Sequence, residues 1–105
     1  MRQTLFLGLV TGGLLLSVAA LAQSGESAGR WLATELCGDC HQVRQPFPSL
    51  FRYPPTFEEI ANLPSTTRLS LKVFLQTNHR AMPNFIISKS DTDNIIEYIV
   101  SLKRR

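Results

Sequence analysis

Hydrophobic and polar positions change rhythm several times along the chain. Leu5 to Leu16 is almost wholly apolar, carrying Leu5, Phe6, Leu7, Leu9, Val10, Leu14, Leu15 and Leu16 behind the positive start Met1-Arg2. Ala20-Leu21-Ala22 then gives way to polar Gln23-Ser24-Gly25-Glu26. A cationic end, an apolar run and a small-residue terminus in that order are those of an export signal, residues 1–22, cleaved to leave 23–105 as the folded domain. Thr4 to Ala22 is also just long enough to span a bilayer. Gly12-Gly13 in its middle and the small residues at its end favour cleavage over a retained anchor.

The rest of the chain predicts helices. A first runs from Ser27 to Cys40 with Trp31, Leu32 and Leu36 on its apolar side. Gly29 is costly inside a helix, so it marks the close approach of another backbone, expected to be the last helix. Gln42 to Pro55 contains Pro46, Pro48, Pro54 and Pro55 and is a loop. Its Phe47, Leu50, Phe51 and Tyr53 suit either the cover of a flat apolar group or a small satellite core. Thr56 to Asn62 predicts a short helix. Ser65 or Thr66 caps a longer one, in which Leu71, Phe74, Leu75 and Asn78 follow i, i+3, i+4, i+7 spacing and read mainly as core. Ser90-Asp91-Thr92-Asp93 opens the last helix with acids near its positive end. Ile95, Ile96, Ile99, Val100 and Leu102 form its buried face, and Lys103-Arg104-Arg105 lies where the helix dipole favours cations, with solvation the ordinary role. No repeat or alternating strand pattern is present, so the class is all-α.

Composition narrows the function. One small domain is all that 105 residues allow. The net charge is only +3 at pH 7, and no dense basic block is interleaved with aromatics, which argues against nucleic acid. A domain this small buries a modest share of its surface and commonly needs a metal, a disulfide set or a cofactor as a staple. Two cysteines cannot build a disulfide framework.

They can hold a cofactor. Cys37-Gly38-Asp39-Cys40-His41 reads C-x-x-C-H, the attachment signature of c-type haem. Two thiols three residues apart lie on nearly the same side of one helical turn, where both can add to the vinyl groups of one haem. A histidine directly after them can offer Nε2 to the iron. Three rivals are weaker. A thioredoxin-like C-x-x-C wants a preceding strand, whereas 28–36 is helical. A zinc site needs four ligands; Cys37, Cys40 and His79 give three, and His41 is awkwardly placed as the fourth. A disulfide across two intervening residues would be strained. For the second axial position the chain offers Met82, followed by Pro83, which biases it to extended backbone suited to a ligating loop. His79 in the same loop is the alternative.

With these residues the sequence resembles the small soluble class I c-type cytochromes exported by bacteria. The resemblance rests on Gly29, the Cys37–His41 motif, Pro55-Thr56-Phe57, the His79-x-x-Met82-Pro83 loop and the terminal Tyr98-Ile99-x-Ser101-Leu102 helix. It implies an all-α, class I cytochrome c-like fold of three to four helices around one covalent haem c. His41 is the implied proximal ligand and Met82 the distal one, with a proline carbonyl, from Pro54 or Pro55 and by preference Pro55, fixing the histidine tautomer. The chain departs from the family at two points. Its only tryptophan, Trp31, lies in the first helix, which leaves the propionate role to weak candidates Tyr53 and Arg52. Ala33 stands where an aromatic precedes the first cysteine, so Trp31 and Leu32 are expected to take over that packing.

With both axial positions filled, the expected function is one-electron transfer in the periplasm by a monomer without a stable membrane anchor, not catalysis. Redox partners would dock weakly over a small patch, with Arg44, Arg52, Lys72, Arg80 and Lys89 available to steer an acidic partner. The alternatives are a haem subunit dedicated to a periplasmic dehydrogenase, or a peroxidase-like or ligand-binding protein with a displaceable Met82. Nothing in the chain resembles a distal catalytic dyad, which argues against the last.

Overall fold

The computed structural model of the chain describes residues 12–44, 54–77 and 82–105, and side chains from Gly25 onward. Four α-helices occupy these residues: α1 (Gly12–Cys37), α2 (Phe57–Asn62), α3 (Arg68–Gln76) and α4 (Lys89–Ser101). No strand occurs among them.

Helix α1 is longer than the pattern from Ser27 suggests. It begins at Gly12 and runs unbroken past Ala22, because the leucine- and alanine-rich segment is itself a strong helix former. It stops at Cys37, and residues 38–40 form a turn. Among the described residues no helix is long and apolar enough to cross a membrane.

α4 is the central element, packing against α1, α2 and α3. Its Ile95, Ile96, Tyr98 and Ile99 are buried with Ala33 and Cys37 of α1, Val43, Phe57 and Ala61 of α2, and Leu71 of α3. Gly29 permits the closest approach. A Cβ there would lie 1.8 Å from the Asn94 carbonyl oxygen, so any side chain would drive the two helices apart. Trp31, expected to help fill this interface, is 63% exposed, while Ala33 is fully buried. At so close a crossing a methyl group is as much as the interface admits, and Leu32 covers its border.

The short helices are fixed by their caps. Thr56 accepts from the Glu59 amide while the Glu59 carboxylate accepts from the Thr56 amide. Thr67, not Ser65 or Thr66, caps α3, exchanging the same pair of bonds with Ser70. Thr66 is instead buried, its hydroxyl donating to the Ile60 carbonyl at 2.5 Å. α4 starts one residue before Ser90, with Ser88 accepting from the Asp91 amide. The basic tail is tied down rather than simply solvated. Lys103 donates to the Thr66 carbonyl, the Arg104 amide to Asn62, and the Arg104 guanidinium to Glu58.

Candidate haem-binding site

Cys37 ends α1 and the next residues turn back beneath it. The His41 amide donates to the Cys37 carbonyl at 2.8 Å, and the Cys40 amide reaches the same carbonyl at 3.2 Å. Gly38 makes that turn possible: its amide donates to Thr34, and a Cβ would sit 2.3 Å from the Thr34 oxygen. Both thiols are free, Cys37 buried and Cys40 exposed. Burial, then the neighbouring Cys40, pushes the Cys37 thiol above its ordinary 9.0, which keeps it protonated at neutral pH.

The histidine is oriented from several sides. Its Nδ1 lies 2.7 Å from the Pro55 carbonyl oxygen. A carbonyl can only accept, so Nδ1 carries a proton, and Nε2 is the nitrogen whose lone pair a metal would take. The Phe57 ring packs against the imidazole, centroids 5.6 Å apart and tilted by 59°. Phe57 in turn is held by its amide, which donates to the Gln42 carbonyl, and by contact with Tyr98. The Tyr98 hydroxyl donates to the Val43 carbonyl at 2.6 Å, tying α4 to the segment directly after the motif. Burial raises the Tyr98 phenol above its usual value despite the opposing charges of Arg30 and Arg44.

The residues present fit a haem c. Two free thiols, an imidazole whose Nδ1 is engaged by the Pro55 carbonyl and a half-buried thioether are the donor set such a group requires. The surrounding helices also carry apolar surface beyond what their mutual packing buries. α3 buries only Leu71 fully, while Val73 and Phe74 are more than half exposed, and Phe85 and Ile86 are exposed after Met82.

Cys37, Cys40, His41 and Pro55 are thus brought into one unit. Met82 lies apart from them in the chain, at a bend in the segment that leads into α4. His79, Arg80, Arg52, Tyr53, Phe47, Leu50 and Phe51 lie outside the described residues. Phe57 and Tyr98 were not read as site residues from the sequence. A tyrosine interrupting the aliphatic face of α4 was the available signal.

Comparison with known proteins agrees. The chain is 32% identical over 94 residues to cytochrome c-552 of Bradyrhizobium diazoefficiens, covering 86% of this chain and 90% of that protein. This chain belongs to the small bacterial c-type cytochromes. Its cofactor is a covalently bound haem c, and it is an electron-transfer haem protein. No protein-family model and no solved structure matches it.

Proposed function

We propose that this cytochrome is an exported, periplasmic one-electron carrier, processed after Ala22, with Cys37 and Cys40 as thioether attachments and His41 and Met82 as axial ligands. The observation that carries the reading is the His41–Pro55 hydrogen bond, which leaves Nε2 as the one basic nitrogen of the ring. Cys37 and Cys40 would hold the haem by each adding S–H across one of its vinyl groups, sulfur to one carbon and hydrogen to the other. No oxidant enters, and the free state of both cysteines suits the addition. Bound haem supplies a single Fe(II)/Fe(III) couple.

The chain's own residues set the conditions for that couple. Pro55 and Phe57 hold the imidazole in one orientation, so His41 needs no rearrangement between oxidation states. The soft Met82 sulfur favours ferrous iron and places the potential high in the range axial ligands span. Redox partners dock transiently, as electron-transfer encounters do.

The test is the exported protein from a host that matures c-type haem. Pigment resisting acidified acetone is expected, together with the weak near-infrared band of methionine bound to ferric iron. Met82→Ala keeps the covalent pigment and loses the band. Persistence of the band in that variant would show that another residue is the ligand.

A further inference from the structure

A second feature adjoins the Tyr98 that braces the segment after the haem motif. An open cleft of about 330 Å³ lies between the start of the packed part of α1 and the end of α4, lined by Glu26, Ser27, Arg30, Arg44, Tyr98 and Leu102. Its chemistry differs from that of the haem-binding residues. Arg30 comes from α1 and Arg44 from the segment after His41, and both line the cleft together with Tyr98, whose phenol feels both charges. Two arginines elsewhere among the described residues have acidic partners, Arg68 with Glu97 and Arg104 with Glu58. Neither cleft arginine stands within ion-pair distance of a carboxylate among the described residues. Glu26, one helical turn before Arg30, lines the same cleft without closing a pair across it. The Tyr98 hydroxyl donates its proton to the Val43 carbonyl, so the charged donors lining the cleft are those of the two arginines.

We propose that this cleft is a binding site for a small inorganic oxyanion of the phosphate type. The planar, forked donors of arginine match tetrahedral oxyanions better than lysine does, and two of them supply the charge that one exposed guanidinium lacks. The lone opposing carboxylate, Glu26, limits affinity and tunes it. Arg44 follows His41 closely in the chain, so an anion held here also places negative charge near the ligating segment and favours the ferric state.

The experiment uses the mature haem-loaded protein in its ferrous, diamagnetic form, titrated with inorganic phosphate at constant ionic strength set by chloride and followed by amide NMR. Saturable shifts are expected at Arg30, Arg44 and Tyr98, with a dissociation constant in the millimolar range. Arg30→Gln and Arg44→Gln each weaken binding about tenfold, and Glu26→Gln tightens it severalfold. Arg105→Gln, at the chain end and outside the cleft, leaves it unchanged. All these positions are exposed, so folding is retained, and the visible spectrum reports the haem independently. Shifts that rise linearly without saturating, or that survive in an Arg30→Gln/Arg44→Gln double variant, overturn the proposal. So does tighter or equal binding with Arg44 replaced. A lower reduction potential in phosphate than in chloride, lost in the double variant, is the second expected readout.

Discussion

Tyr98 and Thr92 are both buried polar residues of α4, with opposite consequences. The Tyr98 hydroxyl has a partner, the Val43 carbonyl, and through it α4 restrains the segment that follows the haem motif. Tyr98→Phe should cost about 1 kcal/mol, the net worth of a typical intramolecular hydrogen bond, measured by denaturant unfolding. Because the folded-state phenol titrates above its ordinary 10.0, its contribution is complete at neutral pH and is lost as pH rises through the folded value. The expected difference is that the wild type loses stability above about pH 10 more steeply than Tyr98→Phe does. The Thr92 hydroxyl, by contrast, is fully buried and has no hydrogen-bond partner among the described residues. An orphaned buried hydroxyl costs about 1–3 kcal/mol, so isosteric Thr92→Val is expected to unfold at the same or a higher denaturant concentration. A clear loss of stability would show that the hydroxyl has a role in the mature protein.

Between elements, the α1–α4 crossing at Gly29 decides the architecture. On helix propensity alone Gly29→Ala would stabilise by about 1 kcal/mol. Contact reverses the sign. The new Cβ would meet the Asn94 backbone oxygen at 1.8 Å, and relieving such an overlap in a packed interface costs about 1–3 kcal/mol or more. Gly29→Ala is therefore expected to lower the thermal midpoint. A second junction joins α2 to the chain end. Asn62 donates to Glu58 and Leu102 and accepts from the Arg104 amide, whereas the Arg104–Glu58 pair lies at the surface. An exposed pair is worth about 0–1 kcal/mol. Asn62→Ala should accordingly destabilise more than Arg104→Ala, and equal effects would mean that the ion pair, not the amide network, holds the tail.

For the molecule as a whole, the described core is small, and α3 and the segment after Met82 leave apolar side chains uncovered. A domain with so little internal burial relies on its cofactor as a packing nucleus. Cys37→Ala combined with Cys40→Ala is expected to give pigment-free, largely unfolded protein by circular dichroism, rapidly lost to proteolysis. A cooperatively folded double variant would show that the helices suffice alone.

Much of this was legible along the chain because it depends on local covalent order. The spacing of Cys37, Cys40 and His41 states its chemistry without a fold, and hydroxyl-bearing residues before apolar runs announce the starts of α2, α3 and α4 to within a residue or two, though not that of α1. Gly29 even marked its helix crossing, since a helix keeps glycine at a cost only where a backbone must pass. What the sequence could not show was distance between remote residues. That Pro55 reaches His41 came only from the resemblance, and that Phe57 packs against it, that Tyr98 braces Val43 and that Trp31 faces outward while Ala33 is buried all depend on how α1, α2 and α4 cross. Those relations come from packing, where one methyl group too many at Gly29 outweighs any local preference, and only the tertiary structure could decide them.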